Sequence, residues 1–276
     1  MKKFSKVAMI SCLLGLIVLF TACANSAASN NTGDDLSKVD KIKKAGKIVI
    51  GTSADYPPYE FINEVDGKIE YVGFDIEIAK AIADSLGVEL EVKDMAFDGL
   101  LMALNADKVD FVMAGMVPKP ERAEVVDFSK IYYLMRQRVL INADNKDKFK
   151  TVEDLTGKRI GVQKATTQED AANEKIKNPQ IKALDKIPDI ILELRNNKID
   201  AMVIEETSGR TYVSKSDDLV LIEDVAFENA QGGTAVAVKK GNKDLLEEIN
   251  KILDTLMDNG SIDKFVTEAI EKVSEL

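Results

Sequence analysis

The chain of 276 residues contains no histidine, no tryptophan and only two cysteines. The missing histidine excludes Ser–His and Cys–His nucleophile activation, imidazole metal ligands and a histidine pH switch. Two cysteines are too few for a thiolate zinc site, so we expect neither a metal nor a cofactor. The net charge of −10 argues against a nucleic-acid partner, because nucleic-acid binders are usually basic.

The first 22 residues have the pattern of a signal peptide. Lys2, Lys3 and Lys6 form a basic start, and residues 7–20 form an apolar run with few interruptions. This run is too short for a comfortable membrane span and is followed by a polar stretch. We therefore predict that residues 1–22 are removed during export.

Thr21 and Ala22 directly precede Cys23, an arrangement that resembles a bacterial lipobox. Phe20 stands where that motif usually has Leu, Val or Ile. The resemblance implies a lipidated, palmitate-bearing Cys23 that anchors the protein at the extracytoplasmic face of the cell membrane. A plain secretory signal with a chance cysteine is the alternative. We predict that residues 23–45 comprise the lipidated cysteine and a flexible tether, because the stretch is mostly small and polar.

Strand and helix patterns alternate along the body of the chain. Residues 47–51 form a short apolar run, and residues 75–86 have apolar side chains at helical spacing, with Asp75 as a candidate cap and Gly87 as a stop. Residues 88–92 alternate like a half-exposed strand. This order predicts an α/β fold with a parallel or mixed sheet.

The same pattern restarts in the second half of the chain. Residues 158–162 resemble the first strand, and residues 194–203 resemble residues 104–113, both as a helix end, a turn and a buried strand. Two similar α/β lobes explain this repetition better than chance. Because ligands of open α/β sheets bind beyond the carboxyl ends of the strands, we expect a cleft between the lobes.

Two loops of the first half carry candidate ligand groups. Asp55 and Tyr56 follow the first strand, whereas the nearby Tyr59 and Phe61 are expected to pack in the core. In the second loop, Gly115 lets the backbone approach a ligand, and Arg122 can clamp a carboxylate. On residues alone, a solvated surface arginine is the more common outcome.

Two loops of the second half complete the set. Thr166 and Thr167 precede a predicted helix and offer caps or donors to an anion, with capping the more common role. Glu205 and Glu206 end a predicted strand and can accept hydrogen bonds from an ammonium, although ordinary surface acids are the alternative. Together the loops suit the carboxylate, ammonium and side chain of an amino acid.

Motifs in these loops and strands resemble those of bacterial solute-binding proteins for polar amino acids, which feed ABC importers. The matching motifs are Gly51-Thr52, Tyr56-Pro57-Pro58-Tyr59-Glu60-Phe61, Val72-Gly73-Phe74-Asp75-Ile76, Ala79-Lys80, Phe97-Asp98-Gly99-Leu100, Ala114-Gly115-Met116, Pro120-Glu121-Arg122, Gly161-Val162-Gln163, Thr166-Thr167-Gln168 and Asp200-Ala201. They occur in the order of the family and extend from about Lys47 to the C-terminus.

The resemblance implies a two-lobe Venus-flytrap fold of the periplasmic binding protein-like type II. Each lobe is then a mixed sheet flanked by helices, and two crossover strands, near residues 139–142 and 234–238, connect the lobes. Lobe 1 comprises residues 46–133 plus 234–276, and lobe 2 comprises residues 134–233.

The resemblance also assigns roles to site residues. Arg122 matches the arginine that binds the ligand carboxylate, assisted by the backbone at Gly115 and Val117 and by Thr167. Glu205 stands where the family has an acid, commonly Asp, for the α-ammonium.

The aromatic residues Tyr56 and Phe97 match the positions that enclose the ligand side chain. Three departures from the family pattern are visible. Val117 occupies a position that is often Ser or Thr, Ala165 replaces a common Gly, and Ser53 stands where several members have an Asp that contacts the ligand side chain.

We therefore expect a monomeric receptor, not an enzyme, that closes on a free amino acid and delivers it to an ABC permease and ATPase complex. Asp55, Glu60 and Glu206 favour arginine or lysine as the ligand, with Tyr56 and Phe97 stacking on a planar cation. Glutamine or another polar amino acid is the near alternative. A same-fold enzyme similar to cyclohexadienyl or arogenate dehydratase, and a sensor or adhesin, are further alternatives.

Overall fold

A computed structural model describes residues 36–275, without the side chains of residues 228–231 and 275. The predicted signal peptide, Cys23 and the first part of the predicted tether lie outside these residues. In the described part of the chain, no helix is long and apolar enough to cross a membrane.

A helix is present within the residues that we predicted to be a flexible tether. Helix α1 (Lys38–Ala45) occupies the end of the predicted tether, with the Ser37 hydroxyl accepting a hydrogen bond from Asp40 N–H at the helix start. Val39 and Ile42 are buried in the core, one turn apart. The tether prediction is therefore wrong for residues 38–45. There, two apolar residues in a polar segment hold a short helix against the core.

Two series of elements follow α1. The first consists of β1 (Lys47–Thr52), β2 (Asp55–Tyr56), β3 (Glu60–Val65), β4 (Lys68–Val72), α2 (Phe74–Leu86), β5 (Glu89–Asp94), α3 (Leu100–Asn105), β6 (Phe111–Val112), α4 (Pro120–Ala123) and β7 (Val126–Asn142). The second consists of β8 (Arg159–Gln163), α5 (Thr167–Lys175), β9 (Gln180–Leu184), α6 (Ile187–Arg195), β10 (Ala201–Glu205), α7 (Glu206–Ser214), β11 (Leu219–Lys239), α8 (Lys243–Asp258) and α9 (Ser261–Glu275). The predicted alternation and its restart near residue 159 are confirmed.

The main sheet has the strand order β5-β1-β6-β11-β7-β10-β8-β9, and β2, β3 and β4 form a small separate sheet. On one side β1 pairs in parallel with β5 and β6, and on the other β8 pairs in parallel with β9 and β10. The central strands β7 and β11 are antiparallel to each other and to their outer neighbours. This arrangement is the two-lobe, periplasmic binding protein-like α/β fold, with a mixed sheet in each lobe.

The two long central strands belong to both lobes. The end of β11 pairs with β6 of lobe 1 at Ala237, whereas the end of β7 pairs with β10 of lobe 2 at Leu140. Between these regions, Leu134 of β7 pairs with Gly233 of β11. The predicted crossover positions fall within these strands, and we retain the division at 133/134 and 233/234 as a proposal.

Apolar side chains fill the space on the faces of the sheet. In lobe 1, α2, α8 and α9 bury Ile78, Ile249 and Val266 in the largest cluster of the core. In lobe 2, Ile160 and Val203 belong to a second cluster. Each such burial contributes roughly 1.5–3 kcal/mol. The largest cluster also includes Ile190 and Met202 of lobe 2, so packing on both halves of the sheet holds the loops at the strand ends in place.

Candidate functional site

The carboxyl ends of the parallel strands of both lobes meet around a small cavity. Lobe 1 and lobe 2 both contribute to its lining. The lining residues are Tyr56, Phe97, Ala114, Gly115, Val117, Arg122, Gln163, Thr166, Thr167 and Gln168. Six of the nine predicted ligand-binding residues are in this set, and Ser53, Asp55 and Glu205 are not.

Arg122 is the cation of this cavity. It lies in α4, whose first residue is Pro120, and only 8% of its surface is exposed. Its two terminal nitrogens donate to the carbonyl oxygens of Val117 and Ala165, each at 2.7 Å. The guanidinium also stacks over the ring of Phe97, 5.2 Å from the centroid.

Burial lowers the pKa of Arg122 to about 10, so the group stays charged at neutral pH. Within the described part of the chain, its guanidinium forms no ion pair with a carboxylate. A guanidinium has five N–H donors, and the two carbonyl bonds use only two of them. Arg122 can therefore still receive an anion.

The start of helix α5 faces Arg122 from the other lobe. The hydroxyl of Thr166 accepts from Glu169 N–H and donates to the Gln163 carbonyl, which fixes the entry to the helix. The hydroxyl of Thr167 accepts from the side chain of Gln137 at 2.8 Å. The first N–H groups of a helix have no intrahelical partner and attract an anion. A carboxylate between Arg122 and α5 would contact positive groups on both lobes.

Ala165 joins β8 to α5 with φ at +60°, a conformation that favours glycine. This is the position where we noted that Ala replaces a common Gly. The conformation turns the Ala165 carbonyl toward Arg122, where it accepts the 2.7 Å hydrogen bond. Ala165 therefore adopts a strained backbone conformation that places its carbonyl oxygen on Arg122.

Tyr56 forms the aromatic wall with Tyr59 behind it, and the two rings stack with centroids 5.0 Å apart. Tyr59 and Phe61 are buried in the core, as predicted. Tyr56 packs so closely on Gly115 that a Cβ there would lie 3.0 Å from Tyr56 Cε1. The hydroxyl of Tyr56 accepts a hydrogen bond from the side chain of Gln168 of lobe 2 at 3.1 Å.

The Gly115 amide has a protein partner in this structure. Its N–H donates to the buried carboxylate of Asp75 at 3.0 Å, and the hydroxyl of Tyr132 donates to the same carboxylate. Asp75 therefore does not cap α2, whose N-cap is Gly73. The N–H of Gly115 thus donates to Asp75 in this structure, and its expected contact with a ligand stays a prediction.

Glu205 lies at the end of β10, fully buried, and accepts a hydrogen bond from Ser208 N–H at 3.0 Å. Burial raises its pKa to about 7. It lines a second cavity, of about 470 Å³, together with residues of β7 such as Met135. Burial and the charge of Glu205 both raise the pKa of Tyr56.

Of the three remaining predicted acids, Asp55 and Glu206 are engaged by protein groups, and Glu60 is buried. Asp55 accepts hydrogen bonds from Ser53 Oγ and from Ile187 N–H of lobe 2, each at 2.8 Å. Glu206 forms ion pairs with Arg138 and Arg210. The structure therefore does not bring Ser53, Asp55 or Glu206 to the cavity around Arg122.

Two glutamines of the cavity had no predicted ligand role. Gln163 is the last residue of β8, and Gln168 follows the threonine pair in α5. The rule that ligands bind beyond strand ends points to Gln163, and a side chain in the first turn of an anion-binding helix is the signal for Gln168. In the described part of the chain, no group of three or more acidic or thiol side chains is placed to hold a metal ion.

The fold and the cleft define a solute-binding protein of the type that encloses a small polar molecule between two lobes. The family model of bacterial extracellular solute-binding proteins, family 3, matches residues 48–271. The chain belongs to this family.

Two of the similar proteins are described as arginine-binding or arginine-bound. The arginine-binding extracellular protein ArtP of Bacillus subtilis (strain 168) is 37% identical over 257 residues, which cover 90% of this chain and 94% of ArtP. The substrate-binding protein AbpA of an amino acid ABC transporter from Streptococcus pneumoniae, in a crystal structure bound to L-arginine, is 35% identical. The match covers 85% of this chain and 98% of AbpA, with a TM-score of 0.81.

A third similar structure is the ancestral amino-acid-binding protein AncCDT-1, a precursor of cyclohexadienyl dehydratase. It is 33% identical with a TM-score of 0.78, and the match covers 85% of this chain and 100% of that chain. The fold is thus shared by receptors and by the lineage of an enzyme.

Proposed function

We propose that this protein captures a basic L-amino acid, arginine above all, and delivers it to the permease and ATPase of an ABC importer. The observation that carries this proposal is the buried guanidinium of Arg122, which faces the start of α5 across the cleft. The relative ArtP and the arginine complex of AbpA, both similar along most of this chain, support the choice of arginine.

In the proposed complex, the α-carboxylate binds the unused donors of Arg122, the backbone at Val117 and the N-terminus of α5 with Thr167. The α-ammonium binds Glu205, and the side chain lies along Tyr56 and Phe97. Contacts from both lobes favour the closed arrangement, so binding and closure are coupled.

We also propose that Cys23 carries the lipid anchor and that the receptor works as a monomer at the extracytoplasmic face. The polar composition of residues 24–35 supports a tether between the anchor and the body. No catalytic step is proposed, because capture and closure need none.

Glutamine is the second candidate ligand. Because Asp55 and Glu206 are engaged by the protein, few acidic groups are left for a basic side chain. The glutamines Gln163 and Gln168, in contrast, line the cavity and can bond to a neutral amide.

Isothermal titration of the full chain with the twenty amino acids, in detergent, tests the proposal. We expect arginine to bind most tightly, with lysine next, whereas tight binding of acidic or aliphatic amino acids alone would rule out a basic ligand. Recovery of chemically unchanged ligand after long incubation separates a receptor from a dehydratase-like enzyme.

The variant Arg122→Ala tests the site itself. Removing one partner of a buried charge pair costs about 2 kcal/mol or more, so the affinity should fall by at least roughly 30-fold. Arg159→Ala is a matched control, because Arg159 pairs with Asp200 at the surface of lobe 2. Its affinity should equal that of the unsubstituted chain.

A further inference from the structure

The carboxylate of Asp55 connects the two lobes. Asp55 lies in β2 of lobe 1, and only 8% of its surface is exposed. One carboxylate oxygen accepts from Ser53 Oγ, and the other accepts at 2.8 Å from the N–H of Ile187, which is 132 positions away in lobe 2. Both carboxylate oxygens thus have protein partners, and Asp55 is not among the residues that line the cavity of Arg122.

The partner of Asp55 is the first residue of helix α6. The N-cap residue of this helix, Lys186, makes no capping hydrogen bond with its side chain. The N-terminus of a helix carries partial positive charge and unpaired N–H groups, so a carboxylate there is favourable. Asp55 supplies from lobe 1 the cap that α6 lacks in its own lobe.

We propose that Asp55 is a latch between the lobes and not a group that contacts the ligand. This proposal rests on the proposed function, and it assigns Asp55 as a positioning residue that favours the closed arrangement. When the lobes separate, the Ile187 N–H loses its acceptor and Asp55 keeps only Ser53. The latch acts through the closure equilibrium, because ligand contacts from both lobes require closure.

A latch has a different signature from a ligand contact. The apparent dissociation constant equals the intrinsic constant divided by the fraction of molecules that are closed. Asp55→Ala should therefore weaken every ligand by the same factor, roughly 2- to 30-fold by analogy with the removal of a helix-capping side chain. A residue that contacts the ligand side chain would instead change the affinity ratios.

Titration calorimetry with arginine, lysine and glutamine measures these ratios for the unsubstituted chain, Asp55→Ala and Asp55→Asn. The asparagine keeps an acceptor oxygen for Ile187 N–H, so its loss of affinity should be smaller than that of alanine. Lys198→Ala is the matched control, because Lys198 pairs with Glu193 of α6 within lobe 2 and lies at the surface. Such pairs contribute little, so the control should bind within about 2-fold of the unsubstituted chain.

Closure is measured independently by pulsed EPR distances between spin labels at Met102 of α3 and Leu192 of α6, which are 75% and 57% exposed. The full chain in detergent carries Cys12→Ser and Cys23→Ser, so only the introduced cysteines are labelled. We expect Asp55→Ala to show a larger fraction of long distances, without ligand and along an arginine titration.

The latch is refuted if Asp55→Ala leaves affinities and distances unchanged, or if it weakens one ligand selectively. Circular dichroism and the melting temperature show whether each variant folds, and Asp55→Asn decides the question should the alanine variant not fold. If the unsubstituted chain binds none of the three amino acids, the proposed function fails. The distance distributions still decide the latch in that case.

Discussion

Glu205 should make the affinity for an amino acid depend on pH. Burial raises the pKa of this carboxyl to about 7 in the free cleft, from an ordinary value of 4.5. The proposed ammonium partner needs the ionised carboxylate, so binding below pH 7 must release a proton. The affinity is therefore lost as the pH falls and is recovered as the pH rises through about 7.

The size of the effect follows from the ionised fraction. At pH 5.5, which is about 1.5 units below the pKa, roughly one molecule in 30 carries the carboxylate. The affinity should consequently be about 30-fold weaker at pH 5.5 than at pH 8.5, a difference of about 2 kcal/mol. Close to one proton should be released per ligand at pH 5.5, about half a proton at pH 7 and almost none at pH 8.5.

Calorimetry in buffers of different ionisation enthalpy measures both the affinity and the proton count. Glu205→Gln should bind more weakly at pH 8.5 and show no such dependence. Glu223→Gln is a control, because Glu223 is an exposed partner of Arg210 and should leave the pH profile unchanged. The assignment is wrong if the unsubstituted chain binds equally well from pH 5.5 to 8.5, or if Glu205→Gln keeps the full profile.

Three further predictions concern the frame of the site. Burial and the neighbouring charge of Asp75 raise the pKa of Glu60 well above 4.5 in the folded state. Folding therefore favours the protonated carboxyl, and the protein loses stability as the pH rises above 4.5. Glu60→Gln should reduce the fall in melting temperature between pH 5 and pH 8, whereas an equal fall in both proteins would contradict this. Gly73→Ala would place a Cβ 2.2 Å from the Tyr59 carbonyl oxygen at a φ of +123°. We expect the free energy of unfolding, measured in urea, to fall by about 3 kcal/mol or more. A fall of less than about 1 kcal/mol would show that the loop adjusts freely. Ala165→Gly should relieve the positive φ and raise the free energy of unfolding by up to about 1 kcal/mol, and a decrease would show that the strain is absent.

The helices and strands of the body could be predicted because their signals are local. Gly87 ends α2 with a positive φ of 70°, and the break at Asn259-Gly260 separates α8 from α9. Helix α1 could not be predicted because its two buried residues, Val39 and Ile42, lie in a mostly polar segment. Its stability depends on packing against the core rather than on its own composition.

The site could be predicted only in part, because strand-end position does not specify where a side chain points. Arg122 and Tyr56 line the cavity as expected from their loops. Asp55 follows the same strand as Tyr56, yet its carboxylate bonds to Ile187 in the other lobe. A contact between residues so distant in sequence leaves no signal in the local pattern.

A crystal structure of the protein grown with L-arginine would show directly where the ligand binds. We expect one arginine between the lobes, with its carboxylate on Arg122 and the start of α5, its ammonium on Glu205, and its side chain along Tyr56 and Phe97. An arginine bound outside this cleft, or bound in the cleft without contact to Arg122, would show that Arg122 is not the carboxylate anchor.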